Sequence, residues 1–161
     1  MLWLTTGTPY AYPPRRLWRG NVPRLTMDTV SKTARSRIMA SVKRKHTEPE
    51  VAVRSMLHRL GLRFRVHVAT LPGTPDIVLA KWRTVVFVHG CFWHGHTCKY
   101  ARLPKTRTDF WADKQARNKA RDAAKRLELE ALGWRVVEIW TCELRDPPAL
   151  GSRLQGIFRV R

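Results

Sequence analysis

Residues 76–88 read Asp76-Ile77-Val78-Leu79-Ala80-Lys81-Trp82-Arg83-Thr84-Val85-Val86-Phe87-Val88, and their pattern decides the fold. Two short apolar runs, joined by Lys81-Trp82-Arg83, predict a hairpin at the centre of a sheet. The turn Leu71-Pro72-Gly73-Thr74-Pro75 leads into the first run, and Phe64-Arg65-Val66-His67-Val68 alternates like a further strand before it. Upstream, Thr47-Glu48-Pro49-Glu50 is a capping box with proline in the first turn. The helix it opens carries Val53, Met56, Leu57 and Leu60 on one face and stops at Gly61. Ser31 caps a shorter helix running to about Lys43. Downstream, Ala116, Ala120, Ala123 and Leu127 recur at helical spacing in a long helix from Asp109 to Leu132, which Gly133 stops. Trp134 to Trp140 then reads as a buried strand. The order α-α-β-β-β-α-β is that of a mixed α/β (α+β) domain, a central mixed sheet flanked by helices.

Composition narrows the partner. The 161 residues hold 31 Lys+Arg against 12 Asp+Glu, a formal net charge of +19. Such a field attracts polyanions, and nucleic acid leads among them. A hydrophobic fraction of 43% suits a globular chain. No apolar stretch approaches the roughly 20 residues that span a bilayer, so no membrane partner is expected. Three cysteines make no disulfide framework; they predict a reducing compartment and either free thiols or a metal.

Residues 1–26 carry four prolines, four arginines and no acid. They read as a basic tail, disordered or following a start assigned upstream of Met27, and not as a signal peptide. Without them the chain still carries +15, four fewer than the whole. After Glu143 only a weak helix and a basic tail are expected, so the domain is drawn over 27–145 and the second tail over 146–161.

Three constellations carry chemistry. In Cys91-Phe92-Trp93-His94-Gly95-His96-Thr97-Cys98, thiols and imidazoles crowd one loop. With Cys142 beyond the last strand, they suit a tetrahedral zinc site closed by His96; the alternative is three buried free cysteines. Asp76 stands at the first position of an apolar strand, where a charge is costly unless paired or metal-bound. It reads either as a magnesium ligand of a metal-dependent nuclease or as a turn aspartate capping backbone amides. Trp111, Gln115, Asn118 and Asp122 form a stripe on the long helix between Lys114, Arg117, Arg121 and Lys125. The stripe reads either as a base-reading face headed by an aromatic wedge or as a core tryptophan beside a solvated charged face.

The segments Leu71–Asp76, Val88-His89-Gly90-Cys91-Phe92-Trp93-His94 with His96 and Cys98, Thr106–Trp111 and Leu132–Val136 together resemble the very short patch repair (Vsr) DNA mismatch endonucleases. The register is unbroken from about Met27 to Arg145. The resemblance implies a restriction-endonuclease-like core with structural Zn2+ and catalytic Mg2+. It also implies a nick on the 5′ side of the thymine in a T:G mispair left by 5-methylcytosine deamination. By position, Asp76 matches the metal-binding aspartate, and Val88 a residue whose backbone carbonyl binds the metal. His94 matches the general base, Asp122 the residue that orients it, and His89 a second active-site histidine. Glu50 matches an acid contacting the metal's water shell, and Cys91, His96, Cys98 and Cys142 match the zinc ligands. Phe92, Trp93, Trp111 and Met39 match intercalating side chains, while Lys114 and Asn118 match contacts to the mispair. Gly95 and Thr97 replace histidines that some relatives carry, and the chain after Arg145 diverges. The expected partners are double-stranded DNA with a T:G mismatch and other DNA repair proteins. A monomer at the nucleoid of a bacterial cytoplasm is the expected setting. A zinc-stabilised DNA-binding module without catalysis, a basic RNA-binding protein and a related nuclease with another target are the competing readings.

Overall fold

The computed structural model describes Ser31, Thr33, Ala34, Arg37, Ala40, Lys43 and residues 45–159. The tail over 1–26, Met39 and most of the helix expected over 31–43 lie outside the described residues. Where that helix was expected to start, the Ser31 hydroxyl accepts the Ala34 amide at 3.2 Å.

The capping box forms as read. Helix α1 (Glu48–Arg59) starts with the Thr47 hydroxyl accepting the Glu50 amide, and Glu50 reaches back to the Thr47 amide. Strands β1 (Arg65–Val66), β2 (Ile77–Leu79) and β3 (Thr84–His89) follow, then helix α2 (Thr108–Ala131), strand β4 (Arg135–Trp140) and helix α3 (Pro147–Phe158). The sheet order is β1-β2-β3-β4. β1–β2 and β2–β3 are antiparallel, whereas β4 runs parallel to β3 because α2 carries the chain back. Both α1 and α2 stop with paired terminal bonds: Gly61 and Leu62 donate to His58 and Leu57, Gly133 and Trp134 to Glu130 and Leu129. Gly61 and Gly133 have φ of +74° and +75°, the left-handed turn this ending requires.

The sheet is covered on both faces, and strand alternation assigns its side chains. Ile77, Leu79, Val86, Val137 and Ile139 pack against Val53 and Leu57 of α1 and Leu150, Leu154 and Phe158 of α3. Val78, Val85, Phe87 and Val136 pack on the opposite face with Leu129 of α2.

Two expectations change, at the first strand and at the C-terminal segment. The strand expected over 64–68 is two residues long, because His67 takes φ 49° and turns the chain out of the sheet. Within α2, Ala116, Ala120, Ala123 and Leu127 are exposed, while Trp111 and Leu129 are buried. The segment over 146–161 is no simple tail, since Pro147–Phe158 is a helix whose Leu150, Leu154 and Phe158 are at most 2% exposed. Asp146 caps it by accepting the Ala149 amide, and its three buried side chains complete the core beneath α1. The packed domain therefore runs through Phe158.

Candidate active site

The β2–β3 ladder ends at the Ile77–Val86 pair. One residue earlier in the chain, the Asp76 side chain takes over from backbone, its Oδ2 accepting the Val88 amide at 2.8 Å. Oδ1 is the carboxylate oxygen left to the cleft. Burial pushes the pKa of Asp76 up to about 6 against the opposing Val88 bond, with Glu50 adding to the rise. A half-buried carboxylate that resists ionisation, with one oxygen open, fits a hard divalent cation, and the carbonyl of Val88 belongs to the residue that positions it.

Glu50 is only 3% exposed and its oxygens are taken. Oε1 accepts from the Thr47 amide and hydroxyl at 3.4 and 2.9 Å, Oε2 from the His46 amide at 3.0 Å and Arg54 Nη2 at 2.6 Å. Its position in the capping box and its position beside Asp76 are thus one placement.

The second cluster sits on the α2 face of the sheet. His94 Nδ1 lies 2.5 Å from Asp122 Oδ2, joining the cysteine loop to α2. A carboxylate on Nδ1 makes Nε2 the lone-pair end of a neutral ring, which is the form a general base needs. The ring of His89 lies 4.1 Å from that of His94. Burial first, and then His94, push the pKa of His89 down to about 4. His89 Nε2 is 3.9 Å from Glu138, which Arg126 grips at 2.6 Å.

The third cluster is sulfur-rich. Donor atoms of Cys91, His96, Cys98 and Cys142 all lie within 4.8 Å of one another. Burial and the neighbouring Cys91 and Cys98 push the Cys142 thiol up to about 12, whereas at Cys98 burial is outweighed by hydrogen bonds, led by that of His96, which pull the thiol down to about 7. Three sulfurs and one imidazole nitrogen match a closed tetrahedral metal site. Thr141 supports it by donating or accepting at Cys91 Sγ, 3.2 Å away, and by accepting the Cys91 amide.

The first two clusters, and the third through Cys91 and Cys142, open on one cleft of 870 Å³, which Arg121, Lys125 and Arg126 also line. The stripe on α2 faces the protein. Gln115 Nε2 donates to the Phe92 carbonyl at 2.6 Å and Asn118 Nδ2 to the Trp93 carbonyl at 2.8 Å. Phe92, Trp93 and Trp111 pack edge to face, with centroids 5.1 to 6.0 Å apart, and Trp111 is 8% exposed. Lys114 is half-buried on the same helix. Sequence reasoning thus placed Asp76, His89, His94, Asp122 and the four metal-type ligands in one region, and missed Arg54, His67, Thr141 and Glu138. The signal for His67 was faint: a histidine inside an alternating run, whose partners lie on another element.

The DNA mismatch endonuclease Vsr family model matches residues 27–100. The type II nicking enzyme V.XorIIP of Xanthomonas oryzae is 53% identical over 131 residues, covering 81% of this chain and 96% of that enzyme. The DNA mismatch endonuclease Vsr of Escherichia coli is 44% identical over 118 residues, covering 73% and 76% of the two chains. In fold, the catalytic domain of the homing endonuclease I-Bth0305I is similar at a TM-score of 0.50 and 21% identity, covering 70% of this chain and 94% of that domain. That likeness speaks to the fold alone. With relatives matched over most of their length, the chain belongs to the Vsr family of DNA mismatch endonucleases and is an endonuclease acting on DNA.

Proposed function

We propose that the protein nicks one strand of a duplex on the 5′ side of the thymine in a T:G mispair, by magnesium-dependent phosphodiester hydrolysis. The observation that carries this reading is the pairing, in one cleft, of an open carboxylate oxygen on Asp76 with a carboxylate-backed imidazole on His94.

Asp76 Oδ1 and the Val88 carbonyl would hold the magnesium, with Glu50 reaching only its outer water shell, since its own lone pairs are occupied. Bound there, the cation supplies charge neutralisation at the scissile phosphate. His94 takes a proton from the attacking water at Nε2, and Asp122 holds the ring and stabilises the charge it gains. His89, kept neutral by burial, packs beside that ring and limits how it tilts. Arg121, whose side chain is largely exposed, offers the phosphate backbone a positive group at the cleft, while Lys125 and Arg126 are engaged by Glu128 and Glu138.

Cys91, His96, Cys98 and Cys142 would hold zinc, whose contribution is to staple the loop that carries Phe92, Trp93 and His94. For mismatch recognition, Phe92 and Trp93 leave their ring cluster with Trp111 and enter the base stack, with Met39 a wedge from the other groove. Asn118 exchanges the Trp93 carbonyl for the edge of a base, and Lys114 joins it. A wobble pair stacks less stably than a normal one, so opening it costs less of the few kcal/mol a step requires. The likeness to a mismatch endonuclease and to nicking enzymes supports this reading. The substrate is then T:G-mismatched double-stranded DNA, met by a monomer, with one active site for one nick.

The test maps the cut. End-labelled duplexes with a central T:G pair or a C:G control are incubated with magnesium, and fragment length locates the nick. Cleavage 5′ of the mispaired thymine, absent from the control, is expected. Equal cleavage of both duplexes would contradict the mismatch reading, and no cleavage despite tight binding would favour a DNA-binding module.

A further inference from the structure

Donor atoms of Glu50, His67 and Asp76 lie within 4.8 Å of one another, which has the look of a three-ligand metal site. The hydrogen bonds argue otherwise. Glu50 is saturated by Thr47, His46 and Arg54. Arg54 Nη2 lies 2.9 Å from His67 Nε2 as well as 2.6 Å from Glu50 Oε2. His67 Nε2 also lies 3.2 Å from Glu50 Oε2, but the lone pairs of Glu50 are already taken and a guanidinium has only donors, so the imidazole nitrogen is the acceptor. The neutral ring therefore carries its hydrogen on Nδ1. That nitrogen lies 4.0 Å from Asp76 Oδ1, the oxygen left open when Oδ2 is held by Val88.

We propose that Arg54 and His67 form a positioning relay for Asp76: Arg54 fixes the imidazole so that its Nδ1–H faces Asp76 Oδ1, and His67 is a donor at the cation site and not a ligand of it. This rests on the reading of Asp76 as the cation-binding residue. The 4.0 Å gap is too long for a direct bond and within the span of one bridging water. A donor there holds the ligand oxygen, or a water of the cation's shell, in one orientation. The left-handed backbone of His67, at φ 49°, is the bend that turns this ring back onto Arg54 and Asp76. Arg54 is held in place although its buried Nε has no hydrogen-bond partner among the described residues. The unmet donor makes the arrangement costly for stability alone, which points to a role in the site.

The experiment titrates Mn2+ by electron paramagnetic resonance into the DNA-free, zinc-loaded protein. It compares wild type, Asp76→Ala, His67→Leu and His67→Asn, with thermal midpoint and zinc content as controls on folding. Asparagine keeps an N–H donor about where Nδ1 stands, so it replaces the donor without the ring. The expected result is a loss of about ten- to hundredfold in Mn2+ affinity for His67→Leu, with His67→Asn within a few-fold of wild type. Half-saturating magnesium for nicking should move by the same factor, at unchanged affinity for duplex. Unchanged Mn2+ affinity in His67→Leu would overturn the relay. Equal losses in the leucine and asparagine variants would overturn the donor assignment and make the imidazole a ligand. If Asp76→Ala binds Mn2+ like wild type, the reading of Asp76 fails instead, and the two failures are thereby told apart.

Discussion

His94 Nδ1 and Asp122 Oδ2 lie 2.5 Å apart, although 28 positions separate them in the chain. One sits on the metal-type loop and the other on the long helix, so the pair exists only when α2 is seated against the loop. Gln115 and Asn118, two turns and one turn before Asp122, hold the same loop by its Phe92 and Trp93 carbonyls. The helix therefore sets both the direction of the base and the position of the aromatic rings.

Asp122→Asn keeps the size of the side chain and removes the charge that stabilises an imidazolium. Single-turnover nicking of a T:G duplex should fall by about 10²–10⁴-fold, with zinc content and duplex affinity unchanged. A loss below threefold would remove His94 from the role of base.

Asp76 gives a pH dependence of defined sign. Its folded pKa, raised to about 6 from 3.8, means the native state binds the proton more tightly than the unfolded chain. Without magnesium, its contribution to stability is intact below about pH 4 and is lost as pH rises through about 6. The loss is about 3 kcal/mol at most, at 1.36 kcal/mol per unit. Asp76→Asn should therefore raise the thermal midpoint at pH 7.5 and flatten its pH dependence. Magnesium should raise the midpoint of wild type and leave that of the variant where it was. Scanning calorimetry across pH 4–8 checks the sign.

The sequence pattern carried the sheet because burial on both faces needs unbroken apolar runs, and Ile77–Leu79 and Val85-Val86-Phe87-Val88 are such runs. Helix ends were legible for the same local reason, in Thr47, Glu50, Gly61 and Gly133. The facing of α2 was not. The surface awaiting this helix includes the Phe92 and Trp93 carbonyls and the His94 ring. Those groups need donors and a carboxylate, so the polar stripe turned inward. The C-terminal helix was under-read because Leu150, Leu154 and Phe158 lie among glycines, prolines and arginines that mask their spacing. In the site, Asp76, His94 and the cysteines stood out because their chemistry is costly to bury. Arg54 carries no signal and His67 only a faint one until folding sets them side by side.

Phe158 tests the boundary of the domain. It is fully buried and meets Trp82 edge to face, with centroids 5.6 Å apart. Phe158→Ala should cost about 3–5 kcal/mol in urea denaturation. A cost under 1 kcal/mol would return residues 146–161 to the status of a tail.

Cys142 joins the end of β4 to the loop. Cys142→Ala should lower bound zinc from one equivalent to well below one, measured by elemental analysis of the purified protein. Amide exchange over residues 92–97 should speed up, because the loop's staple is gone. Full zinc retention would show that Cys142 is no ligand.

The central claim is that Asp76 and a divalent cation cut DNA at a mispair in this cleft. Its most direct test is single-turnover nicking of one T:G duplex by wild type and Asp76→Ala across a magnesium titration, with both proteins fully zinc-loaded. The account predicts a wild-type rate that saturates with magnesium, no measurable nicking by Asp76→Ala, and equal duplex affinity for the two. Nicking by Asp76→Ala at the wild-type rate would contradict it.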